Sequence, residues 1–287
     1  MLFRSLRAAR STDGGGVLLV DSGDLFQGTL ESNLNEGAAV IRVYNRLGYQ
    51  AAAIGNHEFD FGPSGPEATA RRPGEDPRGA LKARTREAKF PFLAANVIDE
   101  ATGRPLALPN VRPSVLVTVA GVRIGLVGVT TSATLETTIA DNVRGLRVAP
   151  LAPTIEAEAR RLRREGAVAV VVLAHAGGRC TRLDDASAVA SCEPDSEIMQ
   201  VVRDLPEGTV DVIAAGHTHQ GMAQTIRGVA VVESFSSGRS FSRVDLTIDR
   251  GSKTVTARTI RPPQDVCARV EDRKSTRLNS SHVSESR

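Results

Sequence analysis

Short apolar runs alternate along this chain with stretches of helical periodicity. Six apolar runs predict buried β-strands, at residues 17–20, 51–54, 92–97, 123–129, 168–174 and 210–215. Residues 36–48 and 153–166 have the apolar spacing and the terminal glycine that are typical of amphipathic helices. The alternation of strands and helices predicts an α/β fold.

The two ends of the chain differ from this middle part. The sequence from Val229 onward has strand-like runs and turn residues, which predicts antiparallel strands. The first residues predict a helix, and they lack the apolar core of a signal peptide. Residues 265–287 are rich in Ser and Arg, so we expect a disordered or artefactual tail after a folded domain at 1–264.

Composition excludes some classes of partner. The formal net charge is only +3, Trp is absent and there are two Tyr, so the chain offers few stacking platforms for nucleic acid. No run approaches the 18 apolar residues that a membrane-spanning helix requires. We therefore expect neither a nucleic-acid partner nor a membrane span.

The three cysteines leave several readings open. Cys180 and Cys192 share one polar loop, and they are two unrelated thiols, a disulfide or, least favoured by the spacing, zinc ligands. A disulfide would indicate an oxidising compartment. Cys267 has no obvious partner.

Polar side chains collect directly after the predicted strands. A lone histidine at such a position is usually structural, and the stretch 56–60 also fits a solvated helix start. Here, however, several potential ligands follow strands whose carboxyl ends are expected to meet at one edge: Asp24, Asn56, His57, His175, His217 and His219. This coincidence favours a metal site, and nitrogen and oxygen donors without thiolate suit Zn²⁺, Mn²⁺ or Fe better than Ca²⁺.

The predicted site suits hydrolysis of a phosphate ester. A two-metal site needs a bridging carboxylate, which Asp24 can supply, and the spacing of His217 and His219 can aim one imidazole at each ion. In such a site a metal-bound water attacks the phosphoryl group in line. His57 can then stabilise charge or protonate the leaving oxygen, with its ring oriented by Asp60.

Five motifs resemble the calcineurin-like metallophosphoesterases, and more closely the catalytic domain of bacterial 5′-nucleotidases. They are "VDSGDLFQGT", "GNHEFDFG", "FPFLAANV", the histidine of "VVVLAHAGG", and "AAGHTH", within residues 1–262. The resemblance implies two mixed β-sheets packed face to face between helices, in four αββα layers. It also implies metal-dependent hydrolysis of phosphate esters, above all nucleoside 5′-monophosphates or related nucleotides, in the periplasm or outside the cell.

The resemblance also implies roles for individual residues. Asp24 matches the ligand that bridges two divalent ions. Asn56, His175 and His217 match the remaining ligands of the second ion, and His219 matches a ligand of the first. His57 and Asp60 match the catalytic His–Asp pair of the family.

Two departures from the family pattern qualify these expectations. The chain contains no Asp-x-His motif, so we expect it to lack the first strand and two ligands of the first ion, and to hold one ion rather than the two of the parent protein. The C-terminal domain that grips the nucleoside in the nucleotidases is also expected to be missing. Two alternatives therefore stay open: a metal-binding but catalytically impaired fragment, and a hydrolase of another ester, such as a cyclic phosphodiester or a sulfur ester, on the same scaffold.

Overall fold

The computed structural model describes residues 2–266, with side chains from Arg7 onward. Six α-helices lie within this part of the chain: α1 (Leu2–Thr12), α2 (Leu30–Asn33), α3 (Ala38–Leu47), α4 (Gly79–Glu87), α5 (Leu151–Arg164) and α6 (Glu197–Asp204). Its strands are β1 (Val20–Asp21), β2 (Ala51–Ala53), β3 (Phe92–Leu93), β4 (Val97–Asp99), β5 (Val111–Arg112), β6 (Ser114–Val119), β7 (Val122–Thr130), β8 (Leu146–Val148), β9 (Ala169–His175), β10 (Val212–Ala215), β11 (Gly221–Ile226), β12 (Val229–Ser234), β13 (Ser240–Asp249) and β14 (Thr254–Asp265). Of the predicted tail 265–287, Asp265 still belongs to β14, and residues 267–287, Cys267 among them, lie outside the described residues.

The strands form two main sheets. The smaller sheet has the order β1-β2-β3-β5, and all of its described pairings are parallel. The larger sheet has the order β11-β12-β10-β9-β7-β6, in which the four inner strands are parallel and the two edge strands are antiparallel to their neighbours. Parallel pairing fixes where the carboxyl ends of these inner strands lie, which is where ligands bind in such folds.

Four layers result from the packing of these sheets. Small and apolar side chains such as Ala51, Ala53 and Leu93 of the smaller sheet pack against Leu126 and Leu173 of the larger one. Helices α5 and α6 cover the outer face of the larger sheet, and α3 and α4 cover that of the smaller one. The predicted αββα arrangement is therefore confirmed, with the smaller sheet parallel throughout its described strands.

One predicted strand, 92–97, is wrong as a single element. The chain leaves the smaller sheet after Leu93 and starts β4 at Val97, which pairs with β8. Asn96 accounts for the break, because its side chain accepts a hydrogen bond from the Thr130 amide and donates one to the Thr130 carbonyl. A side chain that bonds two backbone groups in this way replaces the regular ladder locally.

The prediction of antiparallel strands after Val229 is correct only in part. Strands β13 and β14 form an antiparallel hairpin, as predicted. Strand β12 is antiparallel to β11 but parallel to β10. Its continuous apolar residues are buried inside the larger sheet, as is typical of a strand in a parallel pairing. The predicted strand at 17–20 is also shorter than expected, since only Val20 of that run belongs to β1.

Among the helices of the described part, none is both long and apolar enough to cross a lipid bilayer. The predicted N-terminal helix is present as α1, and Arg7 ties it to the body of the domain through the Gly48 carbonyl.

Candidate metal centre

Four loops converge at the carboxyl ends of the parallel strands. Asp24 follows β1, Asn56 follows β2, His175 is the last residue of β9, and His217 follows β10. The Ser22 hydroxyl donates to the Ala214 carbonyl at 2.7 Å, which joins the ends of the two sheets at this point. The topology of the sheets, rather than proximity in sequence, therefore brings these side chains together.

A series of close contacts joins the donor atoms of the four residues. Nε2 of His175 is 3.0 Å from Oδ1 of Asn56 and 3.0 Å from Oδ2 of Asp24. Nδ1 of His217 is 3.1 Å from the same Asn56 oxygen and 3.2 Å from Nε2 of His175. Asp24, His175 and His217 each offer a ligand atom within 4.8 Å of the others.

Contacts outside the cluster orient two of these donors. Nδ1 of His175 lies 2.9 Å from the Ser22 carbonyl, which can only accept, so Nδ1 carries a proton and Nε2 turns toward the cluster. The Asn56 amide nitrogen donates to the Thr137 carbonyl at 3.0 Å, which turns its oxygen inward. The Asn56 oxygen and Nε2 of His175 thus face the cluster, and this set of oxygen and nitrogen donors fits a divalent cation.

The backbone of the cluster is held in unusual conformations. Asp24, His217 and His219 have φ angles of 61°, 78° and 58°, in the left-handed region that side-chain-bearing residues rarely adopt. Gly55 allows the loops to approach, since a Cβ atom there would lie 2.3 Å from Oδ1 of Asp24. Strained residues of this kind are typical of ligand-binding sites whose surroundings fix them.

Glu58 is a buried carboxylate that the sequence analysis left without a role. Its Oε2 accepts from the amides of Asp24 (2.9 Å) and Gly55 (2.6 Å), and its Oε1 accepts from that of Leu25 (2.6 Å). Burial and the charge of Asp24 raise its pKa to about 7, partly offset by these amides. One side chain therefore clamps the two loops that carry Asp24 and Asn56, and the only hint in the sequence is a charged residue inside an otherwise apolar motif.

His57 and Asp60 form a hydrogen-bonded pair beside the cluster. Nδ1 of His57 is 2.5 Å from Oδ2 of Asp60, and the Thr138 hydroxyl donates to the other Asp60 oxygen at 2.7 Å. The hydrogen bond to Asp60 is the main cause that raises the pKa of His57, against the effect of partial burial. The backbone amide of His57 donates to Oδ1 of Asp24 at 3.0 Å, so the pair is fixed relative to the cluster. Thr138 comes from a distant loop, and no sequence signal pointed to it.

The electrostatics of the cluster favour an ionised Asp24. Burial alone would raise the pKa of Asp24, but the hydrogen bond and charge of His175 lower it overall. Burial likewise lowers the pKa of His175, and Asp24 more than reverses this. Burial and the neighbouring His175 lower the pKa of His217, which keeps its ring neutral and able to coordinate.

The structure does not bring all predicted ligands together. Asp24, Asn56, His175 and His217 meet, whereas His219 is exposed and is outside the ligand group found among the described residues. The predicted roles of all seven residues, as ligands or as the catalytic pair, remain predictions.

A cleft of about 430 Å³ opens beside His217. Its lining includes Ser132, Gly178, Arg179 and Glu197, and Glu197 accepts hydrogen bonds from the amide and hydroxyl of Ser132. A larger depression of about 670 Å³ lies on the α3 surface, and none of the predicted site residues lines it. The cleft beside His217 is therefore the candidate entry for a substrate.

Comparison with known proteins identifies the family. The family model described as calcineurin-like phosphoesterase matches residues 2–221. The chain belongs to the calcineurin-like phosphoesterase family. This agrees with the four-layer fold and with the donor cluster at its strand ends.

Individual members of this family are similar over most of the chain. The endonuclease YhcR of Bacillus subtilis is 27% identical over 243 residues, which are 83% of this chain and 18% of that protein. A 5′-nucleotidase of Vibrio cholerae is 28% identical over 222 residues, which are 76% of this chain and 35% of that protein. The solved structure of a 5′-nucleotidase precursor from Thermus thermophilus has 26% identity and a TM-score of 0.67, covering 92% of this chain and 47% of its own.

The chain thus spans less than half the length of these relatives. The activities named for these relatives are those of the longer proteins.

Proposed function

We propose that this chain is the catalytic domain of a metal-dependent phosphoesterase that hydrolyses nucleoside 5′-monophosphates or related nucleotides. The observation that supports it most strongly is the convergence of Asp24, Asn56, His175 and His217, whose potential ligand atoms lie close together. The family and the nucleotidases among its similar members favour a nucleotide substrate.

The four converging residues would hold one divalent ion, with Zn²⁺, Mn²⁺ or Fe as candidates. A bound ion would supply Lewis-acid polarisation of a phosphoryl oxygen. A second ion would rely on Asp24 and His219 alone, and two protein ligands are fewer than the three or four that bound zinc normally uses. We therefore propose one tightly held ion in this chain.

His57 is proposed to transfer a proton to the leaving oxygen. Its Nδ1 proton is engaged by Asp60, so Nε2 is the atom that remains to face a substrate. The side chain is 35% exposed, so part of it is accessible from solvent. Asp60 holds the ring in one orientation, and the Thr138 hydroxyl holds Asp60 in turn.

An oxidising compartment is proposed for the protein. Cys180 and Cys192 form a disulfide, which confirms the disulfide among the alternatives drawn from the sequence. Disulfides persist mainly in the periplasm and outside the cell. This supports the periplasmic or extracellular location that the resemblance implies.

The experiment is phosphate release from AMP, measured with and without added Mn²⁺ or Zn²⁺. We expect metal-dependent release in the wild type, loss in Asp24→Asn, and no change in Asp249→Asn, whose carboxylate is exposed at the end of β13. Release without added metal from a fully chelated sample, or equal rates in both variants, would refute the proposal.

A substrate panel separates the alternatives. A UDP-sugar, a cyclic nucleotide, a thiosulfate ester and single-stranded DNA are assayed beside AMP under the same conditions. Preference for the thiosulfate ester or a diester would place another reaction on this scaffold. Metal binding without turnover of any member would identify a catalytically impaired fragment.

A further inference from the structure

Glu233 is a buried carboxyl group that joins two of the loops at the candidate metal centre. It follows the apolar residues of β12, and only 2% of its surface is exposed. Oε1 lies 2.7 Å from the Thr218 hydroxyl, and Oε2 accepts from the Gly178 amide at 3.2 Å. Thr218 belongs to the loop after β10 and Gly178 to the loop after β9, so one side chain fixes both.

Thr218 lies between two residues with left-handed backbone conformations. His217 before it and His219 after it have φ angles of 78° and 58°. Such a pair of strained residues persists only where the surroundings hold the chain. The Thr218 side chain is the natural anchor, because its hydroxyl contacts both Glu233 and the Gly178 carbonyl, the latter at 2.9 Å.

A count of protons defines the state of this anchor. A hydroxyl has one proton, and a backbone carbonyl can only accept. The Thr218 hydroxyl therefore has two acceptors within reach, the Gly178 carbonyl and Oε1 of Glu233, and its one proton serves one of them at a time. Burial raises the pKa of Glu233 to about 7, against the opposing effect of the hydrogen bonds that it accepts from Thr218, Gly178 and Gln220.

The surrounding space is too small for another group. A Cβ atom at Gly177 would lie 2.2 Å from the Gly216 carbonyl oxygen and 2.4 Å from Oε2 of Glu233. The two loops therefore touch backbone to backbone, with the carboxyl group of Glu233 filling the remaining gap.

We propose that Glu233 is a positioning residue which, acting through Thr218, holds His217 in the orientation required at the metal centre. The inference rests on the proposed function only in that His217 is a metal ligand. It adds that the affinity of the centre for metal depends, through His217, on the carboxyl group of Glu233 on β12.

The test compares Co²⁺ affinity and the visible absorption of bound Co²⁺ among folded variants. Glu233→Gln keeps one donor for Thr218 and one acceptor for Gly178, so we expect affinity within about threefold of wild type. Glu233→Ala removes both and should weaken binding about tenfold or more, as does loss of other groups that orient ligands. The Co²⁺ spectrum of this variant should change, because His217 is released.

Two further variants keep the result interpretable. Gln224→Ala removes another fully buried polar side chain from the neighbouring strand β11, and should lower the melting temperature while leaving Co²⁺ affinity and spectrum unchanged. Thr218→Val removes only the hydroxyl, and should weaken Co²⁺ binding as Glu233→Ala does. It decides the question if Glu233→Ala does not fold.

The outcomes separate this inference from the proposed function. Wild-type affinity and spectrum in Glu233→Ala or Thr218→Val would overturn the inference while leaving the metal centre intact. The inference would also be overturned if Gln224→Ala weakened Co²⁺ binding as much as Glu233→Ala and Thr218→Val do. Wild-type protein that binds Co²⁺ but hydrolyses no ester would contradict the proposed function alone, and wild-type protein that does not bind Co²⁺ would overturn both.

Discussion

Oδ1 of Asn56 and Nε2 of His175 lie 3.0 Å apart, although 119 positions separate them in the sequence. The amide oxygen cannot donate, and the proton of the neutral imidazole is held at Nδ1 by the Ser22 carbonyl. Two acceptors at this distance are stable together only with a positive charge between or upon them. The raised pKa of His175 favours a proton in this place in the free protein, and in the proposed mechanism a bound divalent cation replaces that proton.

Replacement of a ligand should affect metal retention more than replacement of the proposed acid. His217→Ala removes a nitrogen from the donor cluster, whereas His57→Ala removes a group bonded to Asp60. We expect metal content per chain after dialysis to fall several-fold in His217→Ala and to stay near the wild-type value in His57→Ala. Equal losses would contradict the assignment of the two histidines.

The orientation of His57 should depend on both partners of Asp60. Asp60→Asn removes the charge that holds the Nδ1 proton, so we expect kcat for AMP to fall about 10²-fold with KM changed little. Thr138→Val deletes one bond to Asp60 and should lower kcat more modestly, by about threefold to tenfold. Steady-state kinetics measures both, with Asp249→Asn as the control. An unchanged kcat in Asp60→Asn would exclude this role.

The sequence was sufficient to group the side chains of the donor cluster because of the sheet topology. Parallel inner strands must end at the same edge, so residues placed after apolar runs, such as Asp24, Asn56 and His175, can be grouped without coordinates. The same reasoning could not place His219. It lies in the loop after β10, two residues beyond His217, where the φ angles of the loop set the direction of the backbone. In the structure His219 is exposed.

Residues that act through others were harder to find. Thr138 reaches Asp60 across 78 positions, and no pattern in the sequence indicates that contact. Glu233 did leave a signal, a single carboxylate directly after four apolar residues of β12, which is costly unless it is hydrogen-bonded. The break at Asn96 was invisible because its cause is a side chain that bonds the backbone of β7.

The disulfide should contribute measurably to stability. Closing the loop between Cys180 and Cys192 restricts the unfolded chain and is expected to add about 2–3 kcal/mol. Chemical denaturation of the oxidised wild type and of the Cys180→Ser, Cys192→Ser double variant measures the difference. Two alkylatable thiols in unreduced protein, or equal stabilities, would contradict it.

Glu233 should make stability depend on pH. Its pKa in the folded state, about 7, lies above the ordinary value of 4.5, so its neutral form favours folding. This contribution is fully present below the unfolded-state pKa and is lost as the pH rises through the folded-state pKa.

The matched comparison is with Glu233→Gln, which cannot ionise. Between pH 5 and pH 8 the free energy of unfolding of the wild type should fall by about 2 kcal/mol relative to that variant. Urea denaturation at both pH values provides the measurement. Parallel pH profiles of the two proteins would show that Glu233 is not held neutral.

The location of a bound ion tests the central claim most directly. Crystals grown with Zn²⁺ and measured at the zinc absorption edge give an anomalous difference map that shows where the ion lies. We predict one dominant peak bonded to Asp24, Asn56, His175 and His217, at about 2.0–2.2 Å from each donor atom. A map with no peak among these four residues, or with its dominant peak elsewhere, would contradict the account.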